Sequence, residues 1–107
     1  MATNVIRLDF RMLVYPEGNC WIAHCLETDL VAEGHTPKEA MSGMIDISNT
    51  QIEALLAEGD LNSLFSPAPP EIWRMFSTAA DSPAASRRPS RAVKPINRIS
   101  VRQLAVV

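Results

Sequence analysis

The chain predicts an α+β fold, a small antiparallel sheet in β-β-β-α-β order with one long helix packed on one face. Three observations point there. Residues 5–15 alternate apolar and polar at period two. Thr36-Pro37-Lys38-Glu39 has the chemistry of a helix start. Beyond it, apolar residues recur at three- and four-residue steps for about six turns.

Taken in order, Ile6, Leu8, Phe10, Met12 and Val14 share one side of the first strand, and Arg7, Asp9 and Arg11 occupy the other. That alternation predicts one buried and one wet face. Pro16-Glu17-Gly18-Asn19 supplies turn chemistry, and Cys20 to Leu26 returns as the second strand of a hairpin. Glu27-Thr28-Asp29 is a polar break, and Leu30 to Glu33 is a short third strand ended by Gly34. In the helix, Thr36 caps, Pro37 sits where its missing N–H costs nothing, and Glu39 closes a capping box. Met41, Met44, Ile45, Ser48, Ile52, Leu55 and Leu56 form its apolar stripe, and Gly59 terminates it. A helix from 37 to 58 is about 33 Å long, enough to cover a small sheet.

After residue 60 the pattern thins. Pro67 to Pro70 breaks the chain, and Glu71 to Ala79 reads as a short helix presenting Ile72, Trp73, Met75 and Phe76. Ser82 to Pro95 has a linker's composition of Pro, Ser, Ala and Arg. Arg98 to Val106 is β-like, with Ile99, Val101, Gln103 and Ala105 on one side. Whether this strand joins its own sheet or a neighbour's stays open at this level. The organisation is therefore a 1–60 β-β-β-α domain, a 61–81 Pro-rich segment, an 82–97 basic linker and a 98–107 terminal strand.

At 107 residues the chain fits one domain with a tail. No run approaches the roughly 18 apolar residues a membrane span needs. The start, MATNVIRLDF, lacks a signal peptide's apolar stretch, so a cytoplasmic protein is expected. Charge is split along the chain. Residues 1–81 hold all 12 acids against four bases, and 82–107 hold six bases and no acid. Arg87, Arg88, Arg91 and Lys94 make the basic tail, which suits a solvated segment, a contact with the acidic body, or nucleic acid.

Chemistry finds little footing. Cys20 and Cys25 on one strand would stand about 16 Å apart, beyond disulfide reach and on opposite faces, so both are read as reduced. Cys20, His24, Cys25 and His35 invite zinc, but Cys20 and His24 would be about 13 Å apart and His24 and Cys25 point oppositely. Glu27, Asp29 and Glu33, with Asp9 facing them, could hold Mg²⁺ for nuclease chemistry, against the plainer reading of a solvated acidic edge. The four glycines are scattered, so there is no phosphate loop. No cofactor, metal or catalytic set is expected.

One resemblance stands out. Trp21-Ile22-Ala23-His24-Cys25, then Leu26-Glu27-Thr28-Asp29-Leu30, then Gly34-His35-Thr36-Pro37-Lys38-Glu39-Ala40 and the helix beyond resemble the N-terminal domain of HicB-type antitoxins and their stand-alone relatives. The pattern covers roughly residues 5–58. It implies a partial RNase H-like β-β-β-α-β fold without hydrolase activity. In members paired with a toxin it also implies binding to a small mRNA-cleaving partner of the HicA type. Many such antitoxins carry a C-terminal helix-turn-helix or ribbon-helix-helix domain, and residues 60–107 depart from both patterns.

The expectation is thus a non-catalytic protein-binding module, a homodimer engaging a small toxin-like partner. Its interface would comprise the outward sheet face, carrying Trp21 and Ala23 or their strand neighbours, together with Trp73 and Phe76, and Arg98, Val101 and Arg102 of the last strand. Trp73 and Phe76 have a second option, packing over the long helix. The alternative is a nucleic-acid-binding or nuclease-related module using the basic C-terminal segment.

Overall fold

A computed structural model describes residues 8–81 and 96–103. It is an α+β fold in which strands β1 (Leu8–Glu17), β2 (Cys20–Cys25) and β3 (Val31–Gly34) precede a long helix α1 (Pro37–Glu58). A 3-10 turn at Leu61–Leu64, helix α2 (Pro70–Thr78), strand β4 (Ala80–Asp81) and strand β5 (Ile96–Gln103) follow. The sheet order is β3-β2-β1-β5-β4.

The hairpin turns at Gly18-Asn19, between register partners Glu17 and Cys20. Gly18 adopts φ +61°, which a two-residue hairpin turn requires and glycine supplies without strain. β3 then pairs antiparallel with β2, and β5 pairs with β1. That last pairing corrects the all-antiparallel expectation. β1 and β5 run parallel, with Phe10 beside Ile99 and Met12 beside Val101, so the sheet is mixed. A parallel neighbour demands a long crossover connection, and the α1–α2 segment provides it. The last strand thus closes its own chain's sheet. Its expected end at residues 104–106 lies outside the described residues.

Thr36 caps α1 as expected, but the reciprocal bond from Glu39 falls one residue before the N-cap, so the capping box is not closed. The Thr36 hydroxyl accepts from the Glu39 N–H at 3.0 Å, and the Glu39 carboxylate accepts from the His35 N–H. At the other end Gly59 takes φ +68°, with its N–H on the Leu56 carbonyl and that of Asp60 on the Leu55 carbonyl, a Schellman-type closure. Gly34 is where sheet and helix meet: a Cβ there would lie 2.5 Å from the Ala40 nitrogen. Only a residue without one lets the helix start so close to β3.

Beneath α1 lies the main core, with Phe10, Met12 and Val14 from β1, Ala23 and Cys25 from β2, and Val101 from β5. Ala40, Met41, Met44, Ile52 and Leu55 close it from the helix. Buried Ser48 donates to the Met44 sulfur at 3.6 Å, so the one polar group in the stripe has an acceptor.

The other sheet face is wet at Asp9 and Arg11, as expected, but it is covered further along β1, which is a second correction. Leu13, out of phase with the inward residues of β1, is completely buried there with Leu26 and Phe76. α2 covers it, and Tyr15, Ile72, Trp73, Met75 and Ala79 pack around the same centre.

Candidate interaction surface

The residues expected at an interface are placed as follows. β2 alternates so that Trp21, Ala23 and Cys25 face α1, which leaves Ile22 and His24 on the opposite face. Ala23 is completely buried and Trp21 is half-buried against the core, which corrects their outward placement. Val101 is likewise core, as its register beside Met12 dictates. Arg98 stands beside Asp9 in the ladder. Arg87, Arg88, Arg91 and Lys94 lie outside the described residues.

Trp73 and Phe76 pack on neither α1 nor an open surface but on the second sheet face. Phe76 is 8% exposed and Trp73 is half-buried. Each meets an arginine from the sheet. The Arg11 guanidinium lies 5.7 Å from the Trp73 ring centre, and that of Arg102 lies 4.7 Å from the Phe76 ring centre. Arg102 also donates to the carbonyls of Phe76 at 3.0 Å and Ser77 at 3.4 Å, the final turn of α2. The last carbonyls of a helix lack intrahelical donors, and a cation there also meets the negative end of its dipole.

The polar break after β2 organises the start of this layer. Glu27 accepts from the Arg11 backbone N–H at 2.7 Å and pairs with its guanidinium at 2.6 Å. The backbone carbonyls of Leu26 and Glu27 accept from Ala68 and Ser66, which ties the lead-in of α2 to the sheet. Trp73 Nε1 donates to the Ala68 carbonyl at 3.2 Å. The acid expected to face solvent or a metal is therefore a joint.

Asp29 closes the same loop from the other side. It holds φ +60°, a conformation Asp tolerates better than most residues, and its Oδ1 lies 2.6 Å from His24 Nε2. A carboxylate only accepts, so this contact puts the imidazole proton on Nε2. Nδ1 is buried without a hydrogen-bond partner among the described residues. Burial, with Glu17 and Asp29 adding repulsion, pushes the Tyr15 phenol up from its ordinary value. Burial does the same to the Cys25 thiol, opposed by hydrogen bonds from Thr28.

Among the described residues no three His, Cys, Asp or Glu side chains converge as a metal site. Both cysteines are free. The large apolar side chains left exposed among the described residues are Val31 on the edge strand β3, Ile47 and Leu56 on α1, and Phe65 before α2. Reading by periodicity missed Arg11 and Glu27 as a pair. The available signal was the acid-leucine turn directly after a strand whose neighbour carries Arg11. Among the described residues no helix is long and apolar enough to cross a membrane. No protein family, curated protein or solved structure compared with this chain matches it.

Proposed function

We propose that the chain is a non-catalytic, antitoxin-like protein-binding module of the cytoplasm, acting on a small partner of the HicA mRNA-interferase type. The observation that carries this reading is the Gly34–Ala40 segment. Its Gly-x-Thr-x-x-Glu-Ala pattern occupies the tightest joint of the fold, where Gly34 admits the helix start and Thr36 caps it through the Glu39 N–H. The motif on which the resemblance rests thus coincides with the geometry that needs those residue types. The first four elements, β1-β2-β3-α1, follow the order the resemblance implies, whereas α2 and β4 intervene before β5 returns beside β1.

The acidic body complements a basic partner, because residues 1–81 hold 12 acids against four bases. The second part of the proposal is a homodimer, motivated by the open edge at β3 with Val31 exposed on it. The test is co-expression of the tagged chain with the product of the neighbouring reading frame. Co-purification that weakens with salt, together with suppression of the partner's RNA cleavage, is the expected result. A neighbour that neither co-purifies nor cleaves RNA defeats the antitoxin role. Light scattering that returns a clean monomer defeats the dimer.

A further inference from the structure

We propose that α2 and β5 form one cooperative opening unit of the fold, coupled by Arg102 as the positioning residue. This goes beyond the binding role, and nothing in it requires a partner.

α2 is poorly equipped to exist alone. It has nine residues, no side-chain hydrogen bond at its N-terminus and no basic residue in its last turn. A helix this short without caps is unstable in isolation. Local donors reach part of its last turn, with the Ala79 N–H on the Phe76 carbonyl and the Thr78 hydroxyl on that of Met75; Arg102 of β5 adds a second donor to Phe76 and reaches Ser77 while lying over the Phe76 ring. A second link follows directly in sequence. α2 runs into β4, whose Ala80 and Asp81 pair with Gln103 and Arg102. The C-terminal end of α2 is therefore fixed to β5 twice, through a side chain and through a ladder.

The N-terminal end is fixed differently. Its lead-in bonds to Leu26 and Glu27, and Arg11, half in solvent, meets Trp73. Exposed ion pairs contribute little, so this end serves as the hinge and the Phe76 end travels with β5. What remains behind is β1–β2–β3 under α1, which has its own caps and the larger core. Opening uncovers Leu13, Tyr15 and the β5-facing edge of β1, and it withdraws Val101 and Ile99 from the α1 core, whose remaining members on β1, β2 and α1 stay packed.

Hydrogen exchange on the full-length chain across low urea concentrations tests this. In the wild type, the amides of α2 and β5 share one opening curve, and it lies below that of α1. In Arg102→Ala the two curves separate, with α2 exchanging about tenfold faster than β5. Arg102→Lys keeps the charge without the planar fork and gives a smaller separation; it also replaces the alanine variant should that one fail to fold. Three results would each overturn the proposal: α2 and β5 opening independently in the wild type, both coinciding with α1, or both still coinciding once Arg102 is replaced.

Discussion

The two faces of the sheet are built by different means. Under α1 the core is continuous, and the helix above it carries its own caps and apolar stripe. Under α2 the buried centre comprises, among the described residues, Leu13, Leu26 and Phe76, and the helix depends on arginines from neighbouring strands. One face is stabilised by area, the other by a few directional contacts around a small apolar centre. Substitutions on the two sides should therefore differ in kind as well as in size.

The largest effect is expected on the α1 side. Phe10→Ala removes a completely buried ring from the main core and should cost about 3–5 kcal/mol in urea denaturation, enough to leave much of the chain unfolded. Phe76→Ala should cost less, about 2–3 kcal/mol, because its cluster is small, rimmed by half-buried groups and able to collapse. If the two prove equal, the faces are energetically alike and the contrast fails. Thr36→Ala should cost about 1 kcal/mol through the lost hydrogen bond to the Glu39 N–H. Arg11→Ala should cost about 0.5–1 kcal/mol, since its side chain is 52% exposed and the Glu27 pair is partly screened. A much larger loss there would show that Glu27 holds the α2 lead-in through Arg11.

The smallest effect at neutral pH belongs to Cys25, and it grows with alkalinity. Its folded thiol is pushed above the ordinary 9.0 chiefly by burial. Above that pH the unfolded chain ionises while the folded thiol keeps its proton. The contribution is therefore complete below pH 9.0 and is lost as pH rises through the folded value. Tyr15 adds the same sign of change from its ordinary 10.0 upward. Denaturation midpoints for the wild type should fall across this range, and Cys25→Ala should flatten the first part of the fall.

What was readable in the sequence divides along the same line. The hairpin, β3 and α1 are local objects, and Gly18, Gly34, Thr36-Pro37 and Gly59 mark their limits to within a residue or two. The parallel placement of β5 depends on which edge a distant strand meets, and no local pattern encodes that. The second core had a visible signal. Leu13 and Tyr15 fall on the side assigned to charge, and Ile72, Trp73 and Phe76 share one side of a short helix. Taken together they require a covered second face, and only the alternation of the first residues of β1 hid it. For the interaction surface, the arginines of β1 and β5 were readable as charges but not as ring partners, because the register between strands decides what each one reaches.

The parallel β1–β5 pairing also bears on the order in which the molecule is assembled. Leu8 and Ile96 pair across 88 positions of sequence, whereas Glu17 and Cys20 pair across three. Closing so long a loop is entropically costly before it is rewarded, which places this contact late in folding. During synthesis, everything α1 needs has been made by residue 60, and β5 is complete about 40 residues later. At roughly 5–20 residues per second, the growing chain carries an unpaired β1 edge for on the order of 2–8 seconds. In that interval a nascent chain presents an edge that the finished molecule does not, and any strand that reaches it first competes with the chain's own β5.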